Sequence, residues 1–302
     1  MKDTFAITPV RNRCDITLRC LRHLRDHGDL DWLNVIVVDD GSTDGTPEAV
    51  RSEFREVHLI QGNGDLWWTG AIRVGMEEAL KREAACVLWL NDDTLPHRNV
   101  LRRMTAVALR ENCIASARGR VALPPAPDDF KALEKTPWGL RFRAAMPREG
   151  ILDVDACRGN CVAVPRTVVE RIGLPDSVHL PQYYGDTDYT MRARASGIRC
   201  VMLLDAWADE IAHSGDLDSS WLRGGIPFRV LWSRFGYRGS GLYWRASLIY
   251  SLRHWGLFAG AIIFARPYLK MMVVTLIRVL IPDTLYRPKQ TSMLTPRQNT
   301  AG

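Results

Sequence analysis

The sequence lacks several features that would place it in common classes of protein. No apolar run approaches the roughly 20 residues that a membrane-spanning helix needs. The first residues also lack the apolar core of a secretory signal. The seven cysteines are odd in number and include no Cys-x-x-Cys pair, so neither a disulfide framework nor a zinc ribbon is indicated. These absences predict a reduced protein of the cytoplasm.

Two common nucleotide-binding loops are also missing. The turn at residues 62–67 (GNGDLW) has two glycines, but Trp67 stands where the fingerprint G-x-G-x-x-G requires the third. No G-x-x-x-x-G-K-[ST] segment occurs anywhere in the chain. The sequence therefore disfavours a nicotinamide-dependent enzyme and a P-loop protein.

Acidic residues are scarce near the C-terminus. From Ser219 onward there are 12 Lys and Arg but one acid, Asp283, which is a local net charge of +11. Because the whole chain carries +6, residues 1–218 carry −5. A basic and apolar region of this kind suits an anionic membrane surface, and we expect such a surface rather than nucleic acid as partner.

Strand and helix patterns alternate through the first hundred residues. Apolar runs predict strands at residues 5–8, 34–38, 57–60 and 87–90, and helical spacing predicts helices at residues 15–27, 47–54, 70–82 and 98–111. Thr46 is the predicted cap of the second helix, with Pro47 at its first position, and Pro96 is predicted to close a turn. The alternation predicts an α/β fold with a mostly parallel sheet flanked by helices.

Two of the predicted strands end in paired carboxylates. Asp39 and Asp40 follow one, and Asn91, Asp92 and Asp93 follow another. The carboxyl ends of parallel strands share one edge of a sheet, where ligands bind in open α/β folds. Such residues also form ordinary turns, but carboxylates gathered at one edge repel each other unless a cation compensates. Oxygen ligands of this kind suit Mg²⁺ or Mn²⁺ bound to a diphosphate.

Four motifs in sequence order resemble family 2 inverting glycosyltransferases, which have the GT-A fold. They are residues 9–12 (PVRN), 37–46 (VVDDGSTDGT), 62–71 (GNGDLWWTGA) and 90–94 (LNDDT). The chain resembles in particular the rhamnosyltransferase-like enzymes of bacterial polysaccharide assembly. The resemblance covers about residues 4–215. It implies a GT-A domain at residues 1–218, with a donor half up to about residue 96 and an acceptor half from about residue 150.

The resemblance also implies a donor site in the first half of the chain. Asp39 and Asp40 would hold the base and ribose of the nucleotide. Asp93 matches the metal-binding acid of the D-x-D motif, and His213 matches a further ligand of Mg²⁺ or Mn²⁺. The remaining residues implied in donor binding are Pro9, Asn12, Gly64, Asp65, Gly70, Arg73, Asn91 and Asp92.

Residues 183–188 (YYGDTD) resemble the Glu-Asp-x-Asp motif of the same family. The general base of that motif corresponds to Asp186, at the start of a helix predicted from residue 187 or 188. Gly185 takes the place of the glutamate that would contact the acceptor, and Asp188 would support the acceptor or the fold. The implied reaction moves a sugar from a nucleotide diphosphate-sugar to a hydroxyl of a glycan acceptor, which is lipid-linked in many relatives.

The C-terminal region, residues 219–287, is predicted to be helical. Residues 243–255 are amphipathic, and two apolar segments follow that are separated by Arg266 and Pro267. Aromatic and basic residues among apolar ones favour helices that lie in the membrane interface. The alternative is a helical pair that packs on the domain or against a second copy of the chain. Residues 288–302 are predicted to be disordered.

Two other functions remain compatible with the sequence. A sugar-1-phosphate nucleotidyltransferase has a related sheet, but it requires a glycine-rich loop with Arg or Lys after the first strand, which residues 8–12 (TPVRN) do not form. A non-catalytic protein that binds nucleotide sugars within a polysaccharide assembly is the second. Gly185 and Asn91, which depart from the family pattern, are the reason to consider it.

Overall fold

The computed structural model describes residues 3–121, 128–129, 132–143, 147, 149–211 and 228–280. The strands are β1 (Thr4–Val10), β2 (Asn34–Asp39), β3 (His58–Gln61), β4 (Cys86–Leu90), β5 (Thr94–Pro96), β6 (Ile114–Val121), β7 (Asp128–Asp129), β8 (Leu133–Thr136), β9 (Gly139–Phe142), β10 (Ile151–Asp153), β11 (Cys161–Pro165) and β12 (Cys200–Glu210). The helices are α1 (Cys14–Asp26), α2 (Thr46–Glu53), α3 (Trp67–Lys81), α4 (Val100–Glu111), α5 (Arg166–Ile172), α6 (Gly185–Ala195), α7 (Phe228–Gly236) and α8 (Trp244–Leu280).

A mixed sheet of ten strands forms the centre of the molecule. Its order is β10-β12-β6-β11-β4-β1-β2-β3, with β5 paired to β12 and β7 paired to β6. Strands β4, β1, β2 and β3 are parallel, as the sequence predicts, and β11 runs antiparallel to both β4 and β6. The antiparallel strand β11 therefore joins the first half of the chain to the second. The α/β class of the fold is confirmed.

Helices cover both faces of this sheet. Residues of α1, α2 and α4 pack with Leu88 and Leu90 of β4, and residues of α3, α5 and α6 pack with Val87 and Trp89. A strand covered on both faces needs no polar alternation, which is why β4 is apolar throughout. The core thus fixes the carboxyl ends of β1, β2 and β4 at one edge.

Three local predictions need correction. Gly45, with a φ of 84°, is the N-cap of α2, and Thr46 is the first residue of the helix. The carboxylate of Asp44 accepts hydrogen bonds from the backbone N–H and the hydroxyl of Thr46, which holds Thr46 in that position. Pro96 lies in β5 and pairs with Ala208, so it does not close a turn. The apolar run at residues 200–204 (CVMLL) predicts a strand of that length, whereas β12 continues to Glu210 because its second half pairs with both β6 and β5.

Helix α8 is two arms rather than one straight rod. Gly256 has a φ of 74° and breaks the helix into residues 244–255 and residues 257–280. Gly260 lies directly against the backbone of Ser251, and Trp244 packs against Met271, so the second arm runs back along the first. The second arm continues through Arg266 and Pro267, where the sequence suggests an interruption. By length and composition alone, residues 244–277 pass as one helix that could cross a membrane, but the reversal at Gly256 divides them.

Candidate active site

A cavity of about 710 Å³ lies at the carboxyl edge of β1 and β2. We call it the Asp40 cavity, and its walls include Pro9, Arg11, Arg13, Asp40, Gly64 and Trp68. Three of the residues predicted from the sequence to bind the donor, Pro9, Asp40 and Gly64, are thus in its wall. Arg11 and Arg13 were not predicted, although their position in the motif after β1 could have suggested them.

Asp40 shapes this cavity by holding a loop. Its buried carboxylate accepts the backbone N–H groups of Gly64 (2.8 Å), Leu66 (3.0 Å) and Trp67 (3.0 Å). Gly64 has a φ of 87°, a conformation that favours glycine. The guanidinium of Arg11 donates to the carbonyl oxygen of Gly64 (2.5 Å) on the outer side of the same turn. The glycine turn is therefore bound to the loop that follows β2.

Asp39 and Asn12 organise the neighbouring loops. The Oδ2 atom of Asp39 accepts the N–H of Ser42 (3.1 Å), whereas its buried Oδ1 has no hydrogen-bond partner among the described residues. The side-chain Oδ1 of Asn12 accepts a hydrogen bond from the backbone N–H of Thr43 (2.7 Å). The backbone N–H of Asn12 donates to the hydroxyl of Ser42 (2.8 Å). Asn12 thus ties the loop after β1 to the loop after β2. Asp39 keeps one acceptor atom for a ligand.

Three residues predicted to bind the donor lie outside the described wall of the Asp40 cavity, and their role in donor binding stays a prediction. Arg73 pairs with Glu77 (3.0 Å) one turn further along α3 and lies outside the wall of the Asp40 cavity. Gly70 is buried in α3 and also lies outside that wall. Asp65 accepts hydrogen bonds from the Trp67 indole (2.9 Å) and from Arg238 (2.8 Å). Asp65 therefore fastens a distant segment beside the cavity.

That distant segment follows α7 and closes one side of the Asp40 cavity. Tyr237 and Gly239 are in the cavity wall, and the Tyr237 ring meets the Trp67 ring edge-on at 5.6 Å. The sequence analysis missed these residues. The scarcity of acids after Ser219 was the only available signal, and it pointed to a membrane instead.

The three residues after β4 have separate roles. Asn91 accepts a hydrogen bond from the Trp68 indole (2.8 Å), so it orients a wall of the Asp40 cavity. Asp92 is buried, accepts from the Thr17 hydroxyl (3.3 Å) and pairs with Arg13 (3.0 Å). Asp93 also pairs with Arg13 (2.9 Å), and its side chain is 15% exposed against 1% for Asp92. Of the three residues, Asp93 is therefore the carboxylate that a cation could reach.

The chemistry around Asp93 fits a divalent cation. Burial and the charge of Asp93 raise the pKa of Asp92 to about 7, although Arg13 opposes the shift. Burial and Asp93 likewise raise the pKa of Glu210 to about 7. Mg²⁺ often takes one or two carboxylates and completes its coordination with substrate phosphates. No group of three His, Cys, Asp or Glu suited to a metal occurs within the described part of the chain, and His213 lies outside that part.

Asp186 lies in the first turn of α6, as predicted. Its Oδ2 accepts the N–H of Gly159 (2.8 Å), and its Oδ1 accepts the N–H of Thr187 (2.7 Å). Burial raises the pKa of Asp186 above 3.8, although these N–H groups and Arg158 oppose the shift. A carboxylate with a raised pKa binds a proton more readily than an ordinary aspartate does.

A second cavity of about 640 Å³ opens onto Asp186. We call it the Asp186 cavity. Three elements supply its walls: the start of α6, the β8–β9 hairpin and both arms of α8. Residues of the C-terminal region therefore contribute to both cavities, which the sequence does not indicate.

Gly159 lies between a residue of the Asp40 cavity and a residue of the Asp186 cavity. A Cβ atom added to Gly159 would overlap the ring of Trp68, which lines the Asp40 cavity, and would lie 3.0 Å from the Cβ of Asp186. Glycine is therefore the residue that lets these two side chains approach each other. Asp186 of one cavity and Trp68 of the other therefore lie on either side of one residue.

Gly185 and Asp188, the two residues predicted on the acceptor side, are both packed against other elements. A side chain at Gly185 would overlap Thr69, so the glutamate of the family pattern has no room here. Asp188 is fully buried and accepts hydrogen bonds from Arg253 (2.8 Å), His254 (2.9 Å) and Arg192 (3.0 Å). Asp188 therefore supports the fold, the second of the two roles predicted for it, by holding the 244–255 arm of α8 against α6.

The sequence model of Glycosyl transferase family 2 matches residues 5–173, which contain Asp39, Asp40 and the three residues after β4. The chain therefore belongs to glycosyl transferase family 2, and it is a glycosyltransferase with the GT-A fold. No curated protein sequence matches it significantly.

Solved structures of glycosyltransferases share this fold. A mannosyltransferase from Pyrobaculum calidifontis, PcManGT, is 16% identical with a TM-score of 0.52, and the match covers 92% of this chain and 87% of that one. TarS from S. aureus is 18% identical with a TM-score of 0.54, covering 88% and 71%. GalNAc-T7 is 12% identical with a TM-score of 0.61; the match covers 95% of this chain and 58% of that one. At these identities the similarity is one of fold.

Proposed function

We propose that this protein transfers a sugar from a nucleotide diphosphate-sugar to a hydroxyl group of a glycan acceptor, with inversion at the anomeric carbon. The observation that supports this most is that Trp68 of one cavity and Asp186 of the other lie against the same residue, Gly159. A base in that position can reach a hydroxyl group in the Asp186 cavity while the bond that breaks lies in the Asp40 cavity.

Asp186 acts as the general base in this proposal. Its carboxylate takes the proton of the acceptor hydroxyl as that oxygen bonds to the anomeric carbon. The bond from this carbon to the diphosphate oxygen breaks on the opposite face, and its electron pair leaves with the nucleoside diphosphate. Attack and departure on opposite faces invert the configuration. The N–H groups of Gly159 and Thr187 keep both carboxylate oxygens in place.

The nucleotide would occupy the Asp40 cavity. The free Oδ1 of Asp39 suits an N–H of the base or a ribose hydroxyl. Arg11 and Arg13 line the cavity and supply positive charge for the diphosphate. PcManGT was solved with GDP-Man and TarS with UDP-GlcNAc, which supports a nucleotide sugar as the donor in this fold.

Mg²⁺ or Mn²⁺ would assist the departing diphosphate. Asp93 and His213 are the residues that we propose to hold the cation. When bound, the cation neutralises negative charge on the diphosphate. PcManGT and GalNAc-T7 were both solved with Mn²⁺, which supports a divalent metal.

Donor binding tests this proposal directly. We expect one nucleotide class among UDP-, dTDP- and GDP-sugars to bind in the presence of Mn²⁺, measured by calorimetry. In Asp93→Ala that binding should weaken about 10-fold or more, because the metal loses a carboxylate ligand. Asp205→Ala, a half-exposed aspartate paired with Arg103, is the matched control and should bind like the native protein. Absence of nucleotide binding with every metal would refute the proposal.

We also propose that the second arm of α8 contacts the cytoplasmic membrane from its inner face. Only 17% of the most apolar stretch within residues 244–277 is buried, and residues 228–280 contain no acidic residue. Among residues 257–277 of this arm, the large apolar side chains that are more than half exposed are Leu257, Phe258, Leu269, Met272, Val273 and Leu276. Apolar side chains beside basic ones suit a surface of anionic lipids, from which the protein could reach a lipid-linked glycan.

Vesicle binding tests the membrane contact. We expect Leu269→Gln together with Leu276→Gln to weaken binding to phosphatidylglycerol-containing vesicles about 10-fold or more, since a fully buried leucine contributes about 1.5–3 kcal/mol. Leu109→Gln with Val178→Gln removes two other exposed apolar side chains, one on α4 and one on a loop, and should leave sedimentation with vesicles unchanged. Equal binding by both double variants would argue against this contact.

A further inference from the structure

Three consecutive residues after α7 hold a loop of the Asp40 cavity. The Tyr237 ring meets the Trp67 ring edge-on, with centroids 5.6 Å apart. Arg238 donates to both carboxylate oxygens of Asp65, each at 2.8 Å. A Cβ atom on Gly239 would overlap the Trp67 ring, so glycine lets the chain pass this closely. We call residues 237–239 the Tyr237 segment, and it lies outside residues 5–173, which the family model matches.

Trp67 and Trp68 belong to two different parts of the Asp40 cavity. Both residues line it, although they contact different neighbours. Trp68 lies against Gly159 and donates to Asn91 (2.8 Å), beside the place where the proposed reaction breaks the donor bond. Trp67 lies against Tyr237. Because the transferred sugar occupies the part beside Trp68 in this proposal, the nucleotide is left for the part beside Tyr237.

The Tyr237 ring is available to a flat ligand. Tyr237 is 47% exposed and lines the cavity, whereas Trp67 and Trp68 are half-buried. Contacts with Trp67 and with the Arg234 guanidinium, 5.7 Å from the centroid of the Tyr237 ring, limit the movement of that ring. Bases stack on aromatic side chains, and every base has a flat face that can do so. The base is the flat part of a nucleotide sugar.

We infer that Tyr237 stacks on the base of the donor nucleotide. This inference rests on the proposed function and adds a base-binding residue to the same site. Asp40 connects the contact to the edge of the sheet, because the carboxylate that accepts the N–H of Trp67 also holds Gly64 and Leu66. The C-terminal region therefore completes a donor site whose other walls come from the first half of the chain.

Substitution of Tyr237 tests the stacking. Calorimetry with the full-length protein and Mn²⁺ shows which of UDP, dTDP and GDP binds. We expect Tyr237→Ala to weaken binding of that nucleotide about 5- to 150-fold, the range for loss of one base–aromatic stack. Tyr237→Phe keeps the ring and should stay within about threefold of the native affinity. Phe142→Ala removes a ring that is 50% exposed on β9, outside the wall of the Asp40 cavity, and should bind like the native protein.

A photoreactive base locates the contact, which separates stacking from a purely structural role of the ring. The probe is 5-azido-UDP for UDP, 5-azido-dUDP for dTDP and 8-azido-GDP for GDP. After irradiation and trypsin digestion, we expect the label on the peptide of residues 235–238 (FGYR). The azide is on the base, so this label would place the base beside Tyr237.

Several results would overturn the inference. They are native affinity in Tyr237→Ala, an equal loss in Tyr237→Phe or in Phe142→Ala, and label confined to other peptides. In each of these cases a nucleotide still binds the native protein, so the inference fails and the proposed function stands. If none of the three nucleotides binds with any metal, the proposed function fails and this inference fails with it.

Discussion

Asp186→Asn should lower the rate of sugar transfer by about 10²- to 10⁴-fold, the usual contribution of a general base. Asparagine has nearly the same shape and can still accept the N–H of Gly159, but it cannot take the proton of the acceptor hydroxyl. Donor affinity should not change, because Asp186 lines the Asp186 cavity and not the Asp40 cavity. Transfer kinetics with the donor found by calorimetry would measure both quantities.

Asp205→Asn is the matched control for this substitution. Asp205 is about half exposed and pairs with Arg103 on the surface, so the variant should transfer sugar at the native rate. A loss of less than about tenfold in Asp186→Asn would exclude Asp186 as the base. Loss of donor affinity in the same variant would indicate that Asp186 supports the Asp40 cavity instead.

The pH dependence of the rate provides a second test of Asp186. Because burial raises its pKa above 3.8, the base becomes protonated at a higher pH than an ordinary aspartate. The rate should therefore fall as the pH falls through this raised pKa, and kcat/KM reports the value in the free enzyme. In Asp186→Asn this acidic limb should disappear from the residual activity.

Asp188→Asn should destabilise the protein by about 3 kcal/mol, near the lower end for breaking a buried ion pair. The fully buried carboxylate is the common partner of Arg192, Arg253 and His254, and both arginines lose their counter-charge in the variant. We choose the lower end because the two arginine side chains remain 24% and 30% exposed. Urea unfolding at neutral pH would measure the loss.

The Asp188 carboxylate also makes the stability of the fold depend on pH. Burial alone would raise the pKa of Asp188, but the bonds from His254 and Arg253 outweigh it and lower the pKa below 3.8. The ionised carboxylate therefore stabilises the fold above pH 3.8, and this contribution is lost as the pH falls further. The stability difference between native protein and Asp188→Asn should shrink in that acidic window. Asp205→Asn should stay within about 0.5 kcal/mol of native at neutral pH.

The sequence predicts the parts of the site that depend on local structure. Asp40 and Asp93 were expected at one edge because apolar runs predict parallel strands and the residues after such strands share that edge. Asp186 was expected at a helix start for a similarly local reason. Each of these residues lies within a few positions of the end of the strand or the start of the helix that places it. Local patterning therefore sufficed for them.

Contacts between distant segments could not be predicted in this way. Arg238 reaches Asp65 across 173 residues, and Arg253 reaches Asp188 across 65. Apolar spacing shows that a segment is helical, but it does not show which surface it packs against. For the same reason the sequence does not show that Arg73, which the resemblance assigns to the donor site, pairs with Glu77 on α3.

Asp186 and Asp188 are two residues apart in the first turn of α6, and they face different neighbours. One opens onto the Asp186 cavity, and the other holds the arm of α8 whose continuation we propose to rest on the membrane. If the second arm rests on the membrane as proposed, this link fixes the distance between Asp186 and the lipid surface. The protein would then glycosylate hydroxyl groups at that distance from the lipid, and not those on shorter or longer glycans.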